Sequence, residues 1–417
     1  MRANAASIAS SCDRGTWGAF KTFRALRHRD FRLLWVGLAV SAIGTWMQIV
    51  AQSLLVLKIT QGSALALGTV SLAQALAFFL FALVGGSVAD RMDKRRLLLC
   101  TQSGSAALAI LMGFLTVFGV IQLWMIVVIA FLNGTLLSFD QPTRGALVPL
   151  LVPKEDLGNA ISLQSMIFNG ASTLGPALAG VGVAKLGYAG NFFLNGGSFL
   201  GVLLAVYSMR LPAGPAHQQS TVQAIRRALG TVRRDAVLPW VLSGYAALLF
   251  LGPSSALILP IYAVKILHVG PERLGLLFSA TGVGTILGTL FLASLGSSPR
   301  RGVIYLTGIC LWVAALTVFA VSGHFWLSVA ALLAFGIGQT LAGTTAITLL
   351  QTRMPEQMRG RVMSLNTLLI MGVRPLGDFP AGALIGGIGA PGTVLLGVGL
   401  VGIVGIRLAM RPSVRAC

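Results

Sequence analysis

Long apolar stretches recur along the 417-residue chain and are separated by short polar turns. A helix of about 20 apolar residues crosses the hydrocarbon core of a bilayer, where backbone polar groups must be satisfied within the helix. The stretches therefore predict an all-α integral membrane protein with twelve transmembrane helices, arranged as six plus six. They cover residues 31–57, 65–89, 97–118, 123–139, 157–184, 188–209, 238–264, 274–295, 303–321, 325–350, 362–386 and 393–410.

The composition also indicates a membrane protein. The chain is 55% hydrophobic and 10% charged, with a mean hydropathy of +0.84, which is far from the values of soluble domains. Its net charge of +20 is dispersed over short turns, so we expect a lipid bilayer around the protein and no nucleic-acid partner. The four cysteines and four histidines show no paired or metal-ligand spacing. We therefore expect no catalytic residue, no metal and no cofactor.

A charged turn at residues 86–96 predicts the orientation of the chain. Six charged residues lie there between two apolar stretches, and Lys and Arg near span ends collect on the cytoplasmic side. With this turn inside, four of the 31 Lys and Arg fall on the outer side and one, Arg374, lies within a span. Both termini are then cytoplasmic. The four outer residues are Lys58, Lys185, Lys265 and Arg273.

The spans and turns define five regions. Residues 1–30 are expected to form a cytoplasmic tail, 31–209 the first six-helix half, 210–238 a cytoplasmic linker, 239–410 the second half, and 411–417 a cytoplasmic tail. The linker carries several arginines on a weakly amphipathic stretch. This pattern favours a helix on the inner leaflet, with a partner-binding helix as the alternative.

Short matches between the halves indicate an internal duplication. At an offset of 202 residues, the turn 153–158 matches 355–360, and Leu174-Gly175 and Ala179-Gly180 match residues 376–377 and 381–382. At an offset of 207, Lys58-Ile59 matches residues 265–266. Two parallel six-helix repeats are typical of transporters that hold substrate at the interface between repeats.

The charged turn resembles the cytoplasmic loop signature of the major facilitator superfamily, Gly-x-x-x-Asp-Arg/Lys-x-Gly-Arg-Arg/Lys, with Asp93 in place of the second glycine. The resemblance implies a latch between the halves, in which Asp90 contacts the start of the eleventh span. The alternative is that the basic residues only set the topology. The latch candidates are Gly86, Asp90, Arg91, Lys94 and Arg95.

Segments 23–31, 139–160 and 374–378 resemble the bacterial branch that contains the enterobactin exporter and the transmembrane secretion effectors. This resemblance implies a multi-pass protein of the bacterial inner (plasma) membrane.

Span five further resembles the antiporter signature of exporters at Gly170, Gly175, Pro176 and Gly180. Ordinary close helix packing is the alternative reading of these small residues. The arginine that many drug antiporters carry on span four is replaced by Ala130.

In the superfamily, spans one, four, seven and ten line the central cavity, which implies a set of substrate-contacting residues here. The polar stripe of span one is the clearest pattern, since its members recur at steps of four, three and four. Hydrogen bonding between helices without substrate is the alternative. The candidates are Ser41, Thr45, Gln48, Gln52, Asn133, Asp140, Tyr245, Ser255, Thr340 and Thr344.

Arg374 and Asp378 lie near the middle of span eleven, one helical turn apart, at a spacing that allows them to pair. Charged residues inside a membrane are functional candidates by default. We therefore expect them to couple transport to a proton. A self-neutralised structural pair, or a lock between the halves, is the alternative.

No nucleotide-binding motif occurs in the sequence, and we expect a transporter that is not an enzyme. The favoured function is proton-coupled export of a small amphiphilic compound, such as a siderophore, an antibiotic or another secondary metabolite, by a functional monomer. The patterns are typical of efflux, antiport and drug resistance. An importer of the same fold, and a non-transporting sensor or scaffold, remain alternatives.

Overall fold

A computed structural model of the chain describes residues 23–209, 230, 235–295, 300–354, 366–367 and 369–415, but not the side chains of Leu83 and Asp90. Most of the predicted linker 210–238, the repeated turn at 355–360 and the start of span eleven at residue 362 therefore lie outside the described residues.

The first half is built from five helices because its fifth and sixth spans form one helical hairpin. Gly187 has a φ of +71°, a left-handed conformation that glycine adopts at little cost, and there the chain turns back. The hairpin is tight, because a Cβ at Gly182 would lie 2.5 Å from Oδ1 of Asn191. The helices are α1 Arg29–Ile59, α2 Ala64–Arg91, α3 Lys94–Val117, α4 Leu123–Leu151 and α5 Leu157–Ser208.

The second half repeats this plan with one additional break. Its last two spans again share a helix that turns back at a glycine, Gly389, with a φ of +76°. A π-helical turn at Leu369–Val373 precedes that helix. The helices are α6 Leu238–Leu251, α7 Ser255–Lys265, α8 Pro271–Ser294, α9 Arg301–Val321, α10 Phe325–Arg353, α11 Arg374–Ala409 and the short α12 Pro412–Arg415.

Ten helical segments among the described residues are long and apolar enough to cross a membrane. Two of them, Lys154–Ser208 and Leu369–Ala409, contain the hairpin glycines and cross it twice. The protein is therefore an all-α membrane protein with twelve spans, as predicted.

The backbone confirms the duplication. Gly187 and Gly389, the two hairpin glycines, are 202 positions apart. Gln61 and His268, the two non-glycine residues with positive φ in the described chain, are 207 positions apart, with φ of 53° and 49°. Both offsets equal those of the sequence matches, so each half folds the same way.

Two boundaries differ from the sequence prediction. Span four was expected to end at residue 139, but α4 continues to Leu151, so Asp140 lies inside the helix and not near its end. Span seven was expected to be continuous, but it breaks at Gly252 and Pro253 into α6 and α7. Pro253 cannot donate a backbone hydrogen bond, which favours the break.

The halves contact each other closely at the end of the molecule remote from residues 23–29 and 409–415. A Cβ at Gly180 would lie 2.5 Å from the carbonyl oxygen of Pro271, and one at Gly382 would lie 2.7 Å from that of Ala64. These contacts are equivalent under the repeat, because residue 180 corresponds to 382 and residue 64 to 271. Small residues thus let the backbones meet across the two halves.

Candidate functional site

The break in span seven is held by a buried carboxylate on α11. Asp378 accepts hydrogen bonds from the backbone N–H of Ser254 at 2.9 Å and from its hydroxyl at 2.7 Å. The Ser254 hydroxyl also accepts a hydrogen bond from the N–H of Leu257, as the N-cap of α7. Asp378 is 3% exposed. The carboxylate therefore joins the first arm of α11, residues 374–388, to the start of α7.

Asp378 also lies at the contact between the halves. A Cβ at Gly68 of α2 would lie 2.9 Å from the carbonyl oxygen of Asp378. The equivalent contact brings Gly275 of α8 against Pro176 of α5, where a Cβ would lie 2.7 Å from the carbonyl oxygen. Asp378 thus occupies the position that Pro176 has in the first half. The two sides of the interface share their backbone packing but not this charge.

The ion pair that the spacing of Arg374 and Asp378 allows is not formed among the described residues. Asp378 binds Ser254 instead, whereas Arg374 is half-buried at the start of α11 and lines a small cavity. Tyr245 and Gln339 line the same cavity. The two side chains therefore form no direct ion pair there, although the Arg374 charge still acts on the carboxylate, and the self-neutralised pair stays an alternative.

The polar residues of the α1 stripe differ in burial: some pack inside the first half and others are partly exposed. Gln48 is buried and its Oε1 accepts a hydrogen bond from Nδ2 of Asn195, in the second arm of α5, at 2.7 Å. Ser41 is buried, and the Thr45 hydroxyl donates to its carbonyl oxygen. Gln52 is half-buried. Gln48 is thus satisfied inside the first half, as the interhelical alternative expects.

The span-four candidates have different surroundings. Asn133 is half-buried on α4. Asp140 is 4% exposed, with Oδ2 at 2.6 Å from Nε of Arg144, and its Oδ1 accepts hydrogen bonds from the side chains of Thr101 and Gln102 on α3. Asp140 therefore has three partner side chains within the first half, which favours a structural role for its charge.

The candidates of spans seven and ten also differ in burial and in their contacts. Tyr245 is buried beside Arg374, and Ser255 is half-buried in the first turn of α7. Thr340 is buried and donates to the carbonyl oxygens of Gly336 and Thr285, so it packs α10 on α8. Thr344, one turn on, is exposed. The position of Tyr245 in the cavity makes it the strongest of these candidates.

The antiporter-like residues of α5 make packing contacts at three of the four positions. A Cβ at Gly175 would lie 2.5 Å from the Cβ of Trp46 on α1. Pro176 and Gly180 meet α8 across the halves, as described above. Gly170 has open space around it. These observations favour the close-packing reading for Gly175, Pro176 and Gly180.

The charged turn shows why Asp93 replaces the usual glycine. Its carboxylate caps α3 by accepting hydrogen bonds from the backbone N–H groups of Arg95 at 2.8 Å and Arg96 at 3.1 Å. The guanidinium of Arg95 donates to the carbonyl oxygen of Tyr207 at the end of α5. Among the other latch candidates, Gly86 and Lys94 are half-buried and Arg91 is exposed. The Asp90 side chain and the start of span eleven lie outside the described residues, so the latch stays a prediction.

The segment before α1 binds the turn between α4 and α5, a contact that the sequence analysis missed. Nε of Arg24 lies 2.7 Å from Oδ1 of Asp156, and Nε2 of His28 lies 2.8 Å from its Oδ2. The N–H of Ala25 donates to Oδ1 of Asn159 at 2.9 Å. Both segments lie in the stretches 23–31 and 139–160 that resemble the bacterial branch. Their occurrence together in that branch was the sequence signal that could have predicted this contact.

Comparison with known proteins agrees with this architecture. The sequence pattern of the transmembrane secretion effector family matches residues 20–416. The chain belongs to this family. It is accordingly a multi-pass membrane transporter and not an enzyme.

Curated relatives of this transmembrane secretion effector include the enterobactin exporter EntS of Citrobacter koseri, 29% identical over 342 residues, with 80% of each chain covered. The EntS protein of Salmonella choleraesuis is 27% identical over 348 residues, also with 80% of each chain covered. That of Escherichia coli O1:K1 is 27% identical over 322 residues, covering 75% of this chain and 74% of the relative.

Solved structures share the fold at low sequence identity. The nucleoside transporter NupG has a TM-score of 0.69 at 13% identity and covers 91% of this chain and 98% of its own. A bacterial homologue of the iron transporter ferroportin has a TM-score of 0.68 at 19% identity and covers 92% and 99%. These likenesses establish the two-half transporter fold of the secretion effector.

Proposed function

We propose that the protein is a secondary active exporter that couples efflux of a small amphiphilic compound to proton movement by alternating access. Asp378 carries the proposal, because it is a buried carboxylate at both the broken span seven and the contact between the halves. A proton that neutralises Asp378 would weaken its hydrogen bonds to Ser254. It would thereby change the break in span seven and the contact between the halves at the same time.

The direction of transport rests on the relatives, which are named as exporters. Siderophores, antibiotics and other amphiphilic secondary metabolites are the proposed cargo. The half-buried or exposed polar residues Thr45, Gln52, Asn133 and Thr344, with apolar walls, would contact the body of such a compound. A single chain contains both halves, so the monomer is the proposed functional unit.

The structure supports a state that is open towards the termini, because the close glycine contacts between the halves lie at the remote end. Lys58, Lys185, Lys265 and Arg273 also lie at that end. The positive-inside rule makes the remote end external, with both termini in the cytoplasm. On this proposal the described state is inward-open.

The orientation can be tested with single cysteines in a cysteine-free background. A membrane-impermeant thiol reagent applied to intact cells should label Gln61→Cys and Gly323→Cys but not Asp93→Cys. Permeabilised cells should show labelling at all three positions. Labelling of Asp93→Cys in intact cells would contradict the orientation.

Transport can be tested in reconstituted vesicles with an imposed pH gradient. Substrate movement and proton movement are followed together for a panel of amphiphilic compounds. We expect the compound to move against the proton flux and to drive proton movement when its own gradient is imposed. Movement of compound and protons in the same direction would indicate an importer. If neither the compounds nor protons move, proton-coupled export of these compounds is contradicted.

A further inference from the structure

The second half contains a cavity whose polar groups point to a specific cargo chemistry. It lies between α6, α9, α10 and α11 and has a volume of about 20 Å³, room for about one water molecule. Its polar lining comprises Arg374, Gln339 and Tyr245. Its walls include the rings of Trp312 and Phe335, whose centroids are 5.9 Å apart.

The three polar side chains form no direct hydrogen bond or ion pair among the residues that the structure describes, although the Arg374 charge acts on Tyr245 and Asp378. Neither the guanidinium of Arg374, the amide of Gln339 nor the hydroxyl of Tyr245 makes a hydrogen bond or an ion pair there. A charged side chain inside a membrane-spanning segment is costly. Such a cost is expected at a site that receives a ligand rather than in ordinary packing.

Comparison of the repeats shows that the fold itself does not need this charge. At the offset of 202 residues, Arg374 corresponds to Ser172 in the first half, and Asp378 corresponds to Pro176. The two halves nevertheless fold alike around these positions, with equivalent glycine contacts. Arg374 is therefore a feature of the second half alone.

The available groups favour an anion. Arg374, Gln339 and Tyr245 can all donate hydrogen bonds, and a guanidinium binds two oxygens of one carboxylate side by side. The nearby carboxylate of Asp378 accepts its hydrogen bonds from Ser254 and forms no direct ion pair with Arg374, so the guanidinium donors stay available.

We propose that Arg374, Gln339 and Tyr245 form a subsite for a carboxylate group of the cargo, with the Trp312 and Phe335 rings against its apolar body. The cargo is then an anionic amphiphile at neutral pH. This inference rests on the proposed transport function and narrows its substrate class.

Binding can be measured apart from transport, on the full-length purified protein in detergent. The probes are 2-naphthoate and its neutral isostere 2-naphthamide, whose equilibrium binding is compared. We expect the wild type to bind naphthoate at least about tenfold more tightly, which corresponds to about 1.4 kcal/mol. Arg374→Gln should remove this preference, and Gln339→Leu should reduce it.

Two further variants keep the result interpretable. Arg374→Lys retains the charge but not the paired donors, so it should keep a smaller preference for naphthoate. Arg411→Gln removes an arginine that stacks on Trp240 outside the cavity, and its preference should equal that of the wild type. Equal binding of both probes by the wild type, or an undiminished preference in Arg374→Gln, would overturn the subsite.

A parallel efflux assay in vesicles separates the two proposals. If Arg374→Gln exports an anionic amphiphile as well as the wild type does, the subsite is wrong while the export proposal stands. If the wild type prefers naphthoate but moves no compound of the panel, the subsite stands and the proposed proton-coupled export of such compounds fails.

Discussion

Asp378 and Ser254 connect α11 to the break in span seven through two hydrogen bonds, one from the Ser254 backbone N–H and one from its hydroxyl. The carboxylate thereby lies at the N-terminus of α7, where the helix dipole favours a negative charge. The same residue packs against Gly68 of the other half. A change of charge at Asp378 would consequently act on a helix terminus and on the contact between the halves.

Asp378→Asn should abolish proton movement while substrate exchange down its own gradient continues, because the amide keeps the size of the side chain but cannot exchange a proton. Vesicle assays of proton and substrate movement check this result. Ser254→Ala is the matched control: it removes the N-cap of α7, at a cost of about 1 kcal/mol, but leaves the carboxyl group in place. It should lower stability and keep coupling. A proton-coupled Asp378→Asn protein would refute this role.

The sequence alone predicted the membrane spans and the internal repeat, because both depend on local sequence patterns. Apolar length determines a span, and Gly187 and Gly389 mark equivalent hairpins at the offset that the sequence matches had shown. Asp93 illustrates the same point, since a residue that departs from the family signature has a local function as the cap of α3.

The site was less predictable because its partners are distant in the chain. The i, i+4 spacing of Arg374 and Asp378 suggested a pair, yet Ser254, 124 positions away, binds the carboxylate. Gly252-Pro253 within span seven was the signal for a break, and therefore for exposed backbone donors near mid-membrane. Nothing in the spacing of Gln339 predicted that it would line a cavity with Arg374.

Acid should weaken the start of α6. Asp235 accepts hydrogen bonds from the N–H groups of Val237 at 2.8 Å and Leu238 at 2.9 Å, and Nη1 of Arg353 lies 3.7 Å from the same carboxyl oxygen. Partial burial of Asp235 acts to raise its pKa, but these hydrogen bonds and the Arg353 charge outweigh it, so the pKa lies below its usual value. The ionised form is therefore stabilised in the folded protein.

The stabilisation from Asp235 should be complete above pH of about 4, the ordinary pKa of an aspartate, and should be lost as pH falls through the lowered value of the folded state. Asp235→Asn should thus unfold at a lower temperature than the wild type at pH 7 and at pH 5. The two melting temperatures should converge below pH of about 4. A difference that stays constant into strong acid would contradict a role for this charge.

Release of the segment before α1 should be detectable by proteolysis. Asp156→Asn removes the negative charge that binds Arg24 and His28, so trypsin should cleave within residues 24–29 several-fold faster. The neighbouring Glu155 is exposed, and Glu155→Gln is the matched control that should cleave at the wild-type rate. Mass spectrometry of the fragments over time distinguishes the variants. Equal rates for all three proteins would show that Asp156 does not hold the segment.

The last prediction concerns the glycines that bring the halves together. Gly180 faces Pro271 so closely that an added Cβ would lie 2.5 Å from a backbone oxygen, whereas Gly170, ten residues earlier on the same helix, has open space around it. Gly180→Ala should therefore prevent full closure of the remote end and reduce transport. Gly170→Ala should leave transport unchanged, with a gain in helix stability of up to about 1 kcal/mol.

Distances between spin labels at Gln61→Cys and His268→Cys report directly on this end, since the two positions are equivalent turns of the two halves. With Gly180→Ala the distance distribution should move to longer values, because the helices that carry the contact are forced apart. With Gly170→Ala it should match the unmodified background. If Gly180→Ala and Gly170→Ala give the same distances and the same transport rate, close approach at Gly180 does not control closure of the remote end, and Gly382, its equivalent in the other half, would lose that role as well.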